Sequence, residues 1–188
     1  MPSLEIELFN KLKVENIFTK FPVFIETGTY MGETIFKMEK LFNELHTIEI
    51  KKEIYHNVKR LYNGNKINFY LGDSSDVLQN ILPNINKNCV IFLDGHWSAG
   101  NTGKGNKDCP LYEELTNINN LLTVEAIIII DDCRLFGKGP NKKNEICNWE
   151  DINKDSLINI IKKRIISVYD LPSSLDKNDR LIIHINSK

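Results

Sequence analysis

Two apolar runs end in carboxylates, and they constrain the fold more than anything else in the chain. Cys89-Val-Ile-Phe-Leu leads into Asp94, and Ala126-Ile-Ile-Ile-Ile leads into Asp131-Asp132. Each run is too short to span a membrane and has the length of a buried parallel strand. Strands buried on both faces need helices on both faces, which is the α/β arrangement. A carboxylate where such a strand ends is costly to bury, so something at that edge must compensate for it. In open α/β sheets the carboxyl ends of the strands are also where ligands bind. Three acids converging there, Asp94, Asp131 and Asp132, suggest a hard divalent cation such as Mg²⁺, which takes oxygen ligands and keeps some waters. Asp132 can alternatively cap a turn while Asp131 alone meets the metal.

Elsewhere the pattern supplies the remaining elements. Leu4, Leu8, Leu12 and Ile17 recur at helical spacing, so an amphipathic helix is expected over residues 3–20. Val23 to Glu26 reads as a first strand, with a helix from Glu33 to Leu45. A strand from His46 to Ile50, a helix from Lys52 to Tyr62 and a strand from Ile67 to Tyr70 follow. Asp73 to Asp76 can cap a short helix that runs to Leu82. Pro110 opens a further helix after the loop 95–109, and a second polar loop covers about 133–150. A helix near 155–163 precedes two final strands, Ile165–Tyr169 and Arg180–Ile185. The alternation predicts a doubly wound Rossmann-like sheet of about seven strands with helices on both faces. No linker divides residues 1–188, which read as one domain: residues 1–20 a helix, 21–135 the core, 136–188 a lid loop and C-terminal strands. Both long loops follow acid-bearing strands, and loops of that length in α/β units are more often functional than plain connectors.

Charge excludes some partners. With 24 Lys+Arg against 25 Asp+Glu, the formal net charge is -1, which gives no electrostatic reason to expect nucleic acid. No secretory signal or membrane span is visible, so no membrane partner is expected. The four cysteines form no C-x-x-C pair and read as reduced thiols of a cytoplasmic protein. The exposed face of the N-terminal helix leaves a homo-oligomer open.

The first strand runs into Glu26-Thr27-Gly28-Thr29-Tyr30-Met31-Gly32. Glycines at a β-to-α turn let backbone approach a ligand, and the following helix offers amides. A dinucleotide fingerprint needs G-x-G-x-x-G, and here only Gly28 and Gly32 are present, which weighs against a nicotinamide-dependent oxidoreductase. Glu49 closes the second strand, where an acid accepts hydrogen bonds from ribose hydroxyls. Asp73-Ser74 closes the third, beside where an adenine ring would lie.

With Glu26-x-Gly28 and Gly32, Glu49, Gly72-Asp73-Ser74 and Asp94 in that order, the chain resembles the class I S-adenosylmethionine-dependent methyltransferases across residues 23–135. Phe-Leu-Asp94-Gly-His96-Trp together with Ile-Ile-Asp131-Asp132 is similar to the metal-dependent O-methyltransferases of the macrocin and novobiocin sugar type, and more distantly to catechol O-methyltransferase. The resemblance implies a seven-stranded sheet with its last strand antiparallel. It implies S-adenosylmethionine bound by Glu26, Thr27, Gly28, Thr29, Tyr30, Gly32, Thr34, Glu49, Asp73, Ser74 and Asp94, and Mg²⁺ or a similar cation on Asp94, Asp131 and Asp132. The implied acceptor is a small molecule, a sugar or nucleotide-sugar hydroxyl, or a catechol-like one. The chain departs from the sugar enzymes in its short length and in carrying His96 where they carry an acid.

A hydroxyl is a poor nucleophile at neutral pH and needs a base or a metal. His96, two residues beyond Asp94, is expected to take the proton, because imidazole titrates near neutrality; a loop histidine bonded to backbone is the alternative. Lys104, Lys107, Lys142 and Lys143 are candidates to meet the phosphates of a nucleotide-linked sugar, and Trp97 to line the acceptor pocket. A non-catalytic partner module would not need Glu26, Glu49, Asp94, His96 and Asp131 all in place.

Overall fold

The computed structural model describes residues 4–188. Seven strands form one sheet: β1 Val23–Thr27, β2 Glu44–Glu49, β3 Ile67–Leu71, β4 Cys89–Leu93, β5 Ala126–Ile130, β6 Ile165–Leu171 and β7 Arg180–Ile185. Their spatial order is β3-β2-β1-β4-β5-β7-β6. The first five run parallel, and β7 pairs antiparallel with both β5 and β6. The doubly wound sheet of seven strands with an antiparallel last strand is therefore present. Helices α1 Ile17–Lys20, α2 Glu33–Met38, α3 Lys52–Leu61, α4 Ser74–Ile81, α5 Leu111–Leu121 and α6 Lys154–Ile161 connect and flank the strands. Among the described residues no helix is long and apolar enough to cross a membrane.

β1, β4, β5 and β7 are buried along their whole length, so each strand feeds both faces. On one face Ile25, Ile91, Ile128 and Ile183 pack with Leu78, Leu115, Leu157 and Trp149. On the other, Phe24, Val90, Ile127, Ile129 and Ile182 pack with Leu4, Leu8, Phe9, Ile35, Met38 and Phe42. At about 25 cal/mol per Å² of apolar surface removed from water, burial of these two layers contributes more than any other interaction to holding the sheet.

Two expected elements differ. The single helix over residues 3–20 is instead a 3₁₀ helix, Ile6–Lys11, followed by the short α1, and residue 3 lies outside the described residues. Leu12 is extended and Asn16 left-handed at φ 53°, so the chain bends between the two pieces. Leu4, Leu8, Leu12 and Ile17 are nonetheless all buried: the periodicity reported a buried face correctly, and the bend lets it follow the sheet. The helix expected from Glu33 to Leu45 ends at Met38, because Lys66 Nζ reaches the carbonyls of Glu39 (3.0 Å) and Phe42 (3.2 Å) and Glu44 already pairs in β2.

The register explains why the site lies where it does. Thr27, Leu93 and Ile130 are neighbours at one level, and Ile130 faces Leu181 across the antiparallel pair. One residue further on, Gly28, Asp94 and Asp131 leave the sheet side by side, and Arg180 enters β7 at the same edge.

Candidate active site

The turn after β1 is built for close approach. Gly28 has φ +84°, and a Cβ there would collide with the Asp94 carbonyl oxygen. Its amide is held by Ile48 O at 2.9 Å. Beneath it, Thr47 donates to Glu26 Oε1 (2.7 Å) and pairs with Thr29 Oγ1 (2.5 Å). Burial pushes the Glu26 carboxyl up to about 8, with Thr47 partly offsetting this and Glu49 adding to it. Glu49 Oε2 accepts from the Tyr30 amide (2.9 Å) and Oε1 from the Lys51 amide (2.8 Å). Each carboxylate oxygen has a second lone pair, so capacity remains for a ligand hydroxyl. Burial holds Glu49 above its usual range in spite of those amides.

A partly open pocket lies on this edge, lined by Gly28, Tyr30, Glu49, Asp73, Asp94 and His96 among others. Ser74 also lines it, whereas Glu26, Thr27, Thr29 and Gly32 do not, and Thr34 accepts from the Leu4 amide (3.2 Å) at the N-terminal segment. Thr27 acts from behind, its hydroxyl accepting from the Asp94 amide at 3.2 Å. Asp73 caps α4 through the Ser75 amide at 3.0 Å and keeps its other oxygen towards Gly105. The glycine cradle and the Glu49 carboxylate fit an adenosyl cofactor.

The acids of β4 and β5 diverge. Asp132 is left-handed at φ 61°, and its carboxylate takes partners different from those of Asp131. Its Oδ2 lies 3.0 Å from His96 Nε2, while Oδ1 accepts from Arg134 Nη1. Its side chain makes no cap to the turn that follows it. Asp131 Oδ1 accepts instead from Arg180 Nε (3.2 Å) and from the Asp132 amide (3.0 Å). Arg134 also reaches Asp179 Oδ2 at 2.8 Å. His96 Nδ1 faces Asp94 Oδ1 at 3.4 Å, and Ser98 Oγ lies 2.9 Å from Nε2. The imidazole edge packs on the buried Trp149 ring, 4.8 Å between centroids.

Electrostatics separate the acids. Burial, then the charges of Asp131, Asp132 and Glu26, hold Asp94 well above the usual carboxylate range. Burial raises Asp131 although Arg180 opposes it. Burial also lifts Asp132, but His96 and Arg134 outweigh it and carry that carboxyl below its usual value. Asp94 Oδ1 is buried and has no hydrogen-bond partner. Metal-ligating atoms of Asp94, His96 and Asp132 lie within 4.8 Å of one another, as do those of Asp131, Asp132 and Asp179. The first group leaves a carboxylate oxygen, Asp94 Oδ1, unsatisfied, which fits a divalent cation. Asp132, common to both groups, and Asp179 already have Arg134 as a counter-charge, and Asp131 has Arg180.

The expected triad of Asp94, Asp131 and Asp132 is thus present at one edge but divided, with His96 between Asp94 and Asp132 and Asp131 drawn to Arg180. Arg134, Trp149, Asp179 and Arg180 were not anticipated. Asp179-Arg180 opening a strand was the available signal, because an antiparallel strand starts where parallel ones end. Of the loop lysines, Lys107 lines the pocket while pairing with Glu113. Lys104 pairs with Asp108 (2.8 Å) and sits 4.0 Å over Trp97, and Lys142 and Lys143 are exposed around the Gly139 turn. Trp97 is absent from the pocket lining.

No family model and no curated protein matches the sequence. Solved structures do match its shape. A Listeria monocytogenes protein described as an S-adenosylmethionine-dependent methyltransferase aligns over 96% of both chains at 11% identity and a TM-score of 0.57. Human methyltransferase-like protein 13, solved with SAH, aligns over 92% of this chain and 74% of its own at 14% identity and a TM-score of 0.57. Spermidine synthase from Thermotoga maritima aligns over 92% of this chain but 55% of its own, at 11% identity and a TM-score of 0.56. Together with the strand order, these similarities show that the chain has the class I S-adenosylmethionine-dependent methyltransferase fold.

Proposed function

We propose that the protein is an S-adenosylmethionine-dependent O-methyltransferase, assisted by a divalent cation and acting on a hydroxyl of a small acceptor of the sugar or nucleotide-sugar class. The observation that carries this reading is the His96 imidazole held between Asp132 and Asp94 beside a glycine-cradled pocket. Gly28, Tyr30, Glu49, Asp73 and Ser74 hold the adenosyl and amino-acid parts of the cofactor, with Glu26, Thr27, Thr29, Gly32 and Thr34 shaping the turn behind them. The bound cofactor supplies a methyl group on a sulfonium, the electrophile of the reaction. Asp94 and Asp132 are the carboxylate ligands of the cation, and Asp131, neutralised by Arg180, sets the charge beside them. A cation held there lowers the pKa of an acceptor hydroxyl.

His96 is the base. With its Nε2 proton directed at the ionised Asp132, its Nδ1 lone pair faces Asp94 and the pocket. Asp132 thereby fixes the tautomer and the ring orientation, and the edge contact with Trp149 limits the ring's rotation. Lys107 is the loop lysine placed to meet a phosphate of a nucleotide-linked acceptor.

The test is calorimetric titration with SAH and with NADH, followed by assay of methyl transfer to free and nucleotide-linked sugars with and without EDTA. SAH binding, NADH rejection and EDTA-sensitive methylation are expected. Binding of NADH alone would replace the reading with an oxidoreductase. Equal methylation in excess EDTA would remove the cation from it, and transfer to an amine but no hydroxyl would remove O-methylation.

A further inference from the structure

The loop between β4 and α5 does more than connect. Thr102, Gly103, Gly105 and Lys107 form the pocket wall opposite Gly28 and Glu49. Gly103 lies flat on the Ile50 side chain and the Lys51 backbone, and Gly105 on the Asp73 carboxylate, so closely that a Cβ at either would collide. One contact ties this wall to the rim: Lys51 Nζ donates to Asn101 O (2.8 Å) and Asn101 Oδ1 (2.5 Å). The same residue's amide holds Glu49, so the anchor sits directly on the ribose acid.

Both ends of the segment are built as pivots. Ala99 (φ 61°) and Gly100 (φ 54°) are consecutive left-handed residues, and nothing lies within 4 Å of where a Gly100 Cβ would be. Thr102 closes that turn, accepting from the Ser98 amide (3.1 Å) and donating to Ala99 O (2.8 Å). At the far end Asp108 is fixed: its carbonyl accepts from the Trp97 amide (2.7 Å) and its carboxylate from the Asn148 amide (2.9 Å) and Lys104. Between pivots, the segment 101–107 is held by exposed ammonium contacts: Lys104 to Asp108 and Lys107 to Glu113 tie it to its own side of the pocket, and Lys51 to Asn101 ties it across to the rim beside Glu49. Such contacts are worth little in water, and segments held this way open at low cost.

We propose that residues 101–107 are a gate on the cofactor pocket, latched by Lys51 to Asn101, and that the donor enters and leaves only when this latch opens. The identity of the donor rests on the reading above, but the gate does not. Hydrogen exchange on the free protein tests it without any ligand. In Lys51→Ala, amides of 101–107 exchange about threefold faster than in the wild type, while those of β4 and β5 keep their rates. Unchanged exchange in 101–107 would overturn the latch.

Stopped-flow binding of SAH, read through the fluorescence of Trp97 and Trp149, tests the access role. Lys51→Ala raises association and dissociation rates together, about threefold each, and leaves Kd nearly constant. Gly105→Ala, which props the loop against Asp73, moves both rates the same way. A static wall predicts faster dissociation at unchanged association, and that result would overturn the gate. A wild-type protein that binds no SAH refutes the methyltransferase reading instead, and the exchange result stands by itself.

Discussion

His96 Nε2 stands 3.0 Å from Asp132 Oδ2 while its other ring nitrogen faces Asp94 Oδ1 at 3.4 Å. The two carboxylates bracketing this imidazole are held in different protonation regimes, Asp132 below its usual pKa and Asp94 well above. One acid orients the ring and the other faces the pocket with an unsatisfied oxygen. That asymmetry makes the roles of the acids separable by mutation.

Asp132→Asn removes the charge that orients His96 and pairs Arg134. Methyl transfer should fall by about 10²–10⁴, the range for a disabled general base, with SAH affinity within about threefold of wild type. Asp131→Asn, at an acid that makes no contact with His96 and keeps an oxygen for Arg180 and the Asp132 amide, should cost far less turnover. Equal losses in the two variants would make the acids equivalent and dismiss the special role of the His96–Asp132 pair.

Arg180 is buried against a buried Asp131. Arg180→Met leaves that carboxylate uncompensated and should destabilise the fold by about 3–5 kcal/mol in urea denaturation. Adding Asp131→Asn should restore a large part of the loss. A double-mutant cycle with no coupling would show that the pair contributes nothing.

Glu26 gives a signed pH dependence. Its carboxyl is raised to about 8 in the folded chain from an ordinary value of 4.5, by burial first. Between those values the folded state retains a proton that the unfolded state has released, so stability falls as pH rises. Glu26→Gln should flatten that fall, matching wild type near pH 5 and exceeding it by a few kcal/mol above about pH 8. Parallel denaturation curves from pH 5 to 9 check this; identical pH slopes would refute it.

Gly28→Ala sets a Cβ against the Asp94 carbonyl and forces an L side chain to φ +84°. The backbone strain alone is worth about 1–3 kcal/mol. Thermal melting should drop accordingly, and SAH affinity should fall by more than about tenfold because the cradle shifts. Retained affinity in a folded variant would place the cofactor elsewhere.

The sheet, and the edge at which its acids gather, were legible from local sequence pattern alone. Runs such as Ala126–Ile130 are apolar at every position, which only a strand buried on both faces tolerates, and their terminal acids marked the ligand edge. Gly28 and Glu49 were readable for a similar local reason, since Glu49 closes β2 and Gly28 follows the last residue of β1. What tertiary structure alone decided is how the acids are shared out. The left-handed backbone at Asp132 sends it to His96 and Arg134, and the antiparallel entry of β7 delivers Arg180 to Asp131. Neither His96 nor Arg180 is near in sequence to the β5 acid it meets: 49 residues separate Asp131 from Arg180. Local pattern carries strand periodicity and turn chemistry, whereas the pairing of buried charges depends on which segments the fold brings together, and that choice is made by register and burial.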